Sequence, residues 1–161
     1  EHLKEKVSLY IETGDVPHLL LYGKPGTGKT TLAKLIVKSI ECDYMIINAS
    51  DENGVDTIRE KIKNFSSSMG FKPYKILILD EADSITPKAQ NLLSNIISEF
   101  RKTTRIVFIC NDCSQIIESI QSRCIIIKYP KIIHAYVQQQ VVAVVVLPLL
   151  LGPEVAEVLL I

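Results

Sequence analysis

Short apolar runs of strand length alternate along the first 130 residues with longer segments of helical periodicity. Apolar runs of this length, bounded by turn residues, are typical of strands that are buried on both faces, as in a parallel sheet. The runs are His18 to Tyr22, Tyr44 to Asn48, Lys75 to Asp80, Arg105 to Cys110 and Cys124 to Tyr129. The pattern therefore predicts an α/β fold with a five-stranded parallel sheet between helices.

Helical spacing of apolar residues appears between these runs. In the first helical segment Leu32, Leu35 and Ile36 fall on one face, while Lys34 and Lys38 fall on the opposite face. The predicted helices are Lys29 to Ile40, Val55 to Phe65, Pro87 to Phe100 and about Ser114 to Ser119. Glycine and proline residues separate the elements, as expected for tight connections between strands and helices.

The chain changes character after residue 130. Residues 131–161 contain only Lys131, Glu154 and Glu157 as formal charges, and three consecutive glutamines precede the apolar run VVAVVVLPLLLG. This segment has too few polar residues for an independent amphipathic domain. We therefore predict one domain over residues 1–130 and an unassigned apolar tail over residues 131–161.

Composition and charge exclude several classes of protein. The 161 residues are 47% apolar and 22% charged, which suits one globular domain. Eighteen basic and eighteen acidic residues cancel, so nucleic acid would have to be bound by a local patch rather than by a whole-molecule field. The apolar stretch Val141 to Pro153 is shorter than the ~20 residues that span a bilayer.

The N-terminus is charged where a signal peptide needs an apolar core, so we expect no membrane partner and an intracellular chain. It would be nuclear if the source is eukaryotic and otherwise cytoplasmic. The cysteines at positions 42, 110, 113 and 124 are then expected to be reduced thiols. Cys110 and Cys113 form a CxxC pair, but no second pair or histidine at suitable spacing completes a zinc site.

A phosphate-binding motif lies between the first predicted strand and the first predicted helix. Residues 23–30, GKPGTGKT, match G-x-x-x-x-G-K-[ST] in the strand-to-helix context that the motif requires. The loop glycines let backbone N–H groups point inward, Lys29 would neutralise the β- and γ-phosphates, and Thr30 would bind Mg²⁺. A plain glycine-rich turn is the alternative. The residues expected to hold ATP or ADP are Gly23, Lys24, Pro25, Gly26, Thr27, Gly28, Lys29, Thr30 and Thr31.

Polar side chains end two further strands. Asp80 and Glu81 follow the apolar run of the third strand, at the edge where ligands bind in such sheets. Asp80 fits a Mg²⁺ partner held through water, and Glu81 fits the base for an attacking water. Asp83 has an ordinary interpretation as an acid at a helix N-terminus. Asn111, after the fourth strand, could orient water or contact the γ-phosphate, or could be a turn residue.

Four runs of the sequence together resemble the nucleotide-binding domain of a replication factor C small subunit, in the clamp-loader branch of the AAA+ ATPases. They are PHLLLYGKPGTGKTTLAKLI, INASDENGVDTIREKIKNF, KILILDEADSITPKAQNLL and RIVFICNDCSQIIESIQSRC. The resemblance covers about residues 8–129. It includes the NASDE segment (48–52) and the SRC triplet (122–124), which generic phosphate-loop ATPases lack.

The resemblance implies roles for individual residues. Residues 23–30 would be the Walker A loop, Asp80 and Glu81 would end Walker B, and Asn111 would be the sensor-1 residue. Arg123 would be an arginine finger directed at a neighbouring subunit's γ-phosphate; otherwise it is a surface residue. Asn48 would either restrain Glu81 or form an Asx turn.

DNA contact in such a family tracks the phosphate backbone of a primer–template duplex. Arg59, Lys63 and Lys88 lie in the segments that would face the DNA, or are simply solvated helix residues. Ser94 and Asn95 replace a usual pair of arginines, and Lys24 replaces a usual proline. No lid domain is recognisable after Tyr129, so one interpretation of residues 131–161 is a lid remnant.

These features predict an ATP-binding and ATP-hydrolysing subunit of a sliding-clamp loader in DNA replication, activated by assembly. Its implied partners are other loader subunits, the sliding clamp and primer–template DNA. The alternatives are a nucleotide switch or assembly subunit that does not hydrolyse ATP, and a motor of another AAA+ clade.

Overall fold

Five parallel strands form one sheet in the computed structural model, which describes residues 2–51 and 55–129. Their order across the sheet is β2-β3-β4-β1-β5. The strands are β1 (Leu19–Tyr22), β2 (Cys42–Asn48), β3 (Tyr74–Asp80), β4 (Thr104–Cys110) and β5 (Ile125–Lys128). All five predicted strands are confirmed: four of them end at the predicted residue, and the other boundaries differ from the prediction by one or two residues. The predicted tail, residues 131–161, lies outside the described residues.

Helices connect the strands and cover both faces of the sheet. They are α1 (His2–Thr13), α2 (Lys29–Ser39), α3 (Val55–Ser67), α4 (Pro87–Glu99) and α5 (Glu118–Gln121). The predictions for α2, α3 and α4 are confirmed. Helix α1 was not predicted, although Val7, Tyr10 and Ile11 stand at helical spacing and pack in the core beside α2.

The predicted helix over Ser114 to Ser119 is wrong. A 3-10 turn (Cys113–Gln115) and the short α5 stand there instead, separated by extended backbone at Ile116 and Ile117. The side chain of Gln90 replaces the missing helical hydrogen bonds: its Oε1 accepts from Ile117 N at 2.8 Å and its Nε2 donates to Gln115 O at 2.8 Å. This break lets Ile116 reach the core, where it is buried.

Alternate residues of each central strand enter two separate cores. On one face Leu20, Leu77 and Phe108 pack with residues of α3, α4 and α5. On the other face Leu19, Leu21 and Val107 pack with residues of α1 and α2. Strands buried on both faces explain why the sequence shows continuous apolar runs rather than alternation.

The strand order brings the carboxyl ends of β1, β3 and β4 together. Tyr22, the last residue of β1, pairs with Cys110, the last residue of β4. Leu79 of β3 pairs with Phe108 of β4. The segments that follow these three strands therefore meet at one edge of the sheet, where open α/β sheets bind ligands.

Within residues 2–51 and 55–129, no helix is long and apolar enough to cross a bilayer. The four cysteines are all unpaired. Burial raises the pKa of the Cys110 thiol, and separately that of Cys124, to about 12. Both thiols are therefore protonated at neutral pH and act as small apolar groups.

Candidate nucleotide-binding site

The loop after β1 is shaped by three glycines with positive φ. The values are 150° at Gly23, 76° at Gly26 and 89° at Gly28, a region that side-chain-bearing residues rarely adopt. Gly28 directly precedes α2 and provides no side-chain hydrogen bond to cap it. The first N–H groups of α2 can therefore serve an anion, as at other helix N-termini that bind phosphate.

Gly23 also packs against the residue that follows β5. A Cβ atom at Gly23 would lie 2.6 Å from the carbonyl oxygen of Tyr129 and 2.9 Å from its Cβ. The backbone N–H of Tyr129 donates to Tyr22 O at 2.7 Å. The start of the loop is thus fixed against β5 at a contact that only glycine can make.

Lys29 is the cation of the loop and is only 6% exposed. Its Nζ donates to Gly23 O at 2.6 Å, to Lys24 O at 2.9 Å and to Asn111 Oδ1 at 3.3 Å. Burial lowers the pKa of Lys29, and the nearby charges of Asp80 and Asp83 oppose that change. The ammonium group is therefore held at the centre of the loop by groups from two strand ends.

Thr30 and Asp80 meet beside Lys29. The Thr30 hydroxyl donates to Asp80 Oδ2 at 2.9 Å. The other carboxylate oxygen of Asp80, Oδ1, accepts from the backbone N–H of Glu81 at 3.0 Å. Hydroxyl and carboxylate oxygens are the protein ligands that Mg²⁺ takes, often through water. The donor set at this point fits the magnesium ion expected from the sequence.

Glu81 has a left-handed backbone, with φ of 53°. Among the described residues it is the one non-glycine residue with positive φ. Ser84 holds it there, because both its N–H (2.9 Å) and its hydroxyl (2.7 Å) donate to Glu81 O. Strained backbone of this kind concentrates at functional positions. The Glu81 side chain is exposed at the same edge of the sheet.

Asn111 directly follows β4 and contacts the loop. Its side-chain oxygen accepts the 3.3 Å hydrogen bond from Lys29, and its backbone N–H donates to Asp83 Oδ2 at 3.0 Å. Asn111 therefore joins the phosphate loop to the acidic segment after β3. This contact supports the site interpretation of Asn111 over an ordinary turn residue.

Of the two alternatives for Asn48, the structure shows the turn. Asn48 Oδ1 accepts from the N–H of Ser50 at 3.2 Å and from its hydroxyl at 3.0 Å. Its Nδ2 donates to Asp51 Oδ2 at 2.9 Å. In this conformation the amide of Asn48 is occupied by its own turn and does not restrain Glu81.

Arg123 is not part of this chain's own site. It is exposed in the turn after α5, and its guanidinium donates to Ser119 O. Ile125, two residues later, pairs with Leu19 at the start of β1, whereas the phosphate loop follows the end of β1. Arg123 and the loop therefore lie at opposite ends of the sheet.

The basic residues considered for DNA contact are all exposed. Arg59 and Lys63 lie one helical turn apart on the outer face of α3, and Lys88 lies in the first turn of α4. Ser94, in contrast, is 5% exposed and Asn95 is exposed. Solvation and phosphate contact are both compatible with these positions.

Two features were missed by sequence reasoning. Asp83 bonds to Asn111, which its place in a helix-like segment did not indicate. Met69 and Phe71 are each 98% exposed in the loop before β3. The sequence did contain an indication of this exposure, because two large apolar residues stand in a segment that shows neither helical nor strand periodicity.

Comparison with known proteins identifies relatives for most of the described chain. The model of the ATPase family associated with various cellular activities (AAA) matches residues 19–131. Replication factor C small subunit 2 of Pyrobaculum islandicum is 40% identical over 136 residues, covering 80% of this chain and 42% of the relative. The probable replication factor C subunit 5 of Dictyostelium discoideum is 44% identical over 133 residues, covering 77% of this chain and 38% of the relative. The chain thus spans less than half the length of these relatives.

Solved structures share the fold at lower identity. The RuvB Holliday junction branch migration motor of Thermotoga maritima superposes with a TM-score of 0.64 at 23% identity. The match covers 80% of this chain and 43% of RuvB. At this identity the comparison supports the arrangement of sheet and helices alone.

Proposed function

This chain belongs to the AAA family of ATPases, and we propose that it is an ATP-hydrolysing subunit of a sliding-clamp loader in DNA replication. One observation carries the proposal: Asp80 and Asn111, from two neighbouring strand ends, accept hydrogen bonds from Thr30 and Lys29 of the phosphate loop, in a chain 40–44% identical to replication factor C subunits. A phosphate loop without such partners would be expected to bind nucleotide but not to hydrolyse it. Polar side chains brought to the loop from neighbouring strand ends are expected of a site that also hydrolyses ATP.

The residues divide the chemistry among them. Lys29 and the N–H groups of the loop bind the β- and γ-phosphates, and Thr30 and Asp80 hold Mg²⁺, which neutralises phosphate charge when bound. Glu81 accepts a proton from the attacking water, and Asn111 orients the γ-phosphate or the water without adding charge. The phosphate-loop residues 24, 25, 27 and 31 line the nucleotide.

Arg123 is assigned to a neighbour's site. It lies at the end of the sheet opposite this chain's own loop, so it can reach a γ-phosphate only in another subunit. A guanidinium suits that task because it is permanently charged and donates in a fork. Turnover should therefore depend on assembly into a ring of loader subunits with heterologous interfaces.

The loop before β3 is our candidate docking surface for a protein partner, and the sliding clamp is the partner that the proposed function provides. Met69 and Phe71 are almost fully exposed, although the loop that carries them is anchored. Asp43 Oδ2 accepts from Phe71 N at 2.7 Å and from Lys72 N at 3.2 Å, and Lys75 Nζ donates to Phe65 O at 2.8 Å. Exposed large apolar groups on an ordered loop mark interaction surfaces.

Primer–template DNA would be bound through phosphate contacts. The exposed Arg59 and Lys63 on one face of α3, with Lys88, provide cations without base recognition. Ser94 and Asn95 stand where the resemblance leads us to expect a pair of arginines. Because these two positive charges are missing, this subunit should contribute weakly to DNA binding. Such a loader works where DNA is replicated, in the nucleus or the cytoplasm according to the source.

Steady-state ATP turnover tests the proposal. The chain alone should turn over slowly, and addition of partner subunits, clamp and primed DNA should raise the rate. An arginine finger supplied by a neighbouring protein raises the rate of hydrolysis by ~10³- to 10⁵-fold in other phosphoryl-transfer systems. Arg123→Ala should reduce hydrolysis at the adjoining subunit and leave this chain's nucleotide affinity unchanged.

Two other outcomes would identify the alternative functions. ATP binding without turnover in any assembly would identify a nucleotide switch, and DNA-stimulated turnover without a clamp would indicate another AAA+ motor.

A further inference from the structure

Three carboxylates lie within four residues at the end of β3, and the proposed function uses only two of them. Asp80 binds the Thr30 hydroxyl and Glu81 is exposed at the edge of the sheet. The third, Asp83, directs Oδ2 to the backbone N–H of Asn111, with a donor–acceptor distance of 3.0 Å. This hydrogen bond bridges the segments that follow two neighbouring strands, β3 and β4.

The segment that carries Asp83 is fixed on both sides. It is a single 3-10 turn, Ala82–Ser84. Ala82 is fully buried, and Ile85 N donates to Ala82 O at 3.2 Å. The neighbouring Ser84 N–H donates to Glu81 O at 2.9 Å. The Asp83 carboxylate therefore starts from a well-anchored backbone.

Asn111 has fewer restraints of its own. It is exposed and directly follows the last residue of β4. Its side-chain oxygen reaches Lys29 Nζ at 3.3 Å. The direction of that side chain depends on the orientation of the Asn111 peptide plane, and the acceptor for its N–H is Asp83.

We propose that Asp83 is a positioning residue that holds Asn111 towards the phosphate loop through a carboxylate-to-backbone hydrogen bond. This inference rests on the proposed function, since it concerns the same ATPase site. A hydrogen bond to a charged acceptor is about twice as strong as a neutral one.

The simpler explanation is an acid that stabilises the start of a helical segment. That role predicts a loss of thermal stability on substitution, without a selective effect on turnover. The positioning role predicts a loss of kcat while nucleotide affinity is largely retained, because Asn111 acts on the reacting phosphate rather than on the whole nucleotide.

The test compares three variants in the assembled loader, with kcat and the Kd for MgATP measured separately. Asp83→Ala should lower kcat by about 10- to 100-fold, the range seen when outer-shell partners are lost at other sites. Asp83→Asn should recover most of the rate, because its side-chain oxygen can still accept from Asn111 N. Asp112→Ala is the matched control: it removes an adjacent carboxylate whose side chain accepts from Ser114 N at 2.9 Å, and kcat should stay near wild type.

A second readout does not depend on turnover. In ¹⁵N-labelled full chain, the Asn111 backbone amide should exchange with solvent faster in Asp83→Ala, but not in Asp112→Ala. Combining Asp83→Ala with Asn111→Ala should lower kcat no further than Asn111→Ala alone, because both changes remove the same function.

An unchanged Asn111 amide in folded Asp83→Ala, or additive losses in the double variant, would overturn the inference. If Asp83→Ala does not fold, the inference is decided by Asp83→Asn, whose Asn111 amide should keep its protection. Failure of the proposed function would look different, because wild-type chain itself would then show no ATP turnover in the assembly.

Discussion

The Thr30 hydroxyl donates a 2.9 Å hydrogen bond to Asp80 Oδ2, joining residues that are 50 positions apart in the sequence. Thr30 is in the first turn of α2 and Asp80 is the last residue of β3. The bond forms because the order β3-β4-β1 places the ends of these strands along one edge of the sheet. It brings together the two oxygen groups expected to hold Mg²⁺.

Replacing Lys29 with alanine should abolish measurable MgATP binding. The loop would lose its central cation, whose Nζ now also bonds to Gly23 O, Lys24 O and Asn111 Oδ1. Equilibrium titration with a fluorescent ATP analogue measures the change. Lys34→Ala is the matched control, since Lys34 is an exposed lysine on the outer face of the same helix. Wild-type affinity in Lys29→Ala would show that the loop does not bind phosphate.

Gly23→Ala should destabilise the fold more than Gly14→Ala. Both glycines have positive φ, but a Cβ at Gly14 meets nothing within 4 Å, whereas one at Gly23 would lie 2.6 Å from Tyr129 O. The steric conflict should cost about 1–3 kcal/mol, in addition to the strain of placing a side chain at positive φ. Urea denaturation of the two variants measures the difference. Equal stabilities would mean that the segment after β5 moves away freely.

Stability should fall as the pH decreases from about 6.5 towards 4. Burial lowers the pKa of His18 from its ordinary value of 6.5 to about 4, and the ring accepts from Ile106 N through Nδ1 at 3.1 Å. The unfolded chain therefore binds a proton at higher pH than the folded chain, which favours unfolding across this window. The loss should be on the order of 1–2 kcal/mol, since solvent screens the partly exposed ring.

The control for this pH effect is His18→Asn, which keeps an acceptor for Ile106 N but does not titrate. Urea midpoints at pH 7 and pH 5 should differ less in this variant than in wild type. A wild-type midpoint that did not change between the two pH values would contradict the neutral, buried histidine.

The double substitution Met69→Ser with Phe71→Ser should weaken binding to the sliding clamp without destabilising the chain. Both side chains are 98% exposed, so the folded state loses no buried apolar area, while a docked partner would lose its anchors. Pull-down and surface plasmon resonance with purified clamp measure the effect. Leu9→Ser, which alters an apolar residue on α1 that is 55% exposed, should bind as wild type. Equal clamp binding by the double variant would remove this surface from the proposal.

Much of the site was predictable because it follows strand ends. Residues 23–31, Asp80, Glu81 and Asn111 each come directly after an apolar run, and parallel strands end at the same edge of a sheet. The interruption between the 3-10 turn and α5 was not predictable, because it depends on Gln90, from a helix 25 residues earlier, whose side chain supplies the hydrogen bonds. The bond from Asn111 N to Asp83 was missed for the same reason: it joins side chain and backbone across two strands.

The most direct measurement places this chain in a loader in which its own site is the only one able to hydrolyse ATP. Single-turnover hydrolysis of radiolabelled ATP is then followed with clamp and primed DNA. The account predicts turnover with the wild-type chain, its loss in Glu81→Gln with ATP still bound, and its loss when the adjoining subunit lacks its arginine finger. Equal hydrolysis by the wild-type and Glu81→Gln chains, or none by either despite bound ATP, would contradict an assembly-activated ATPase.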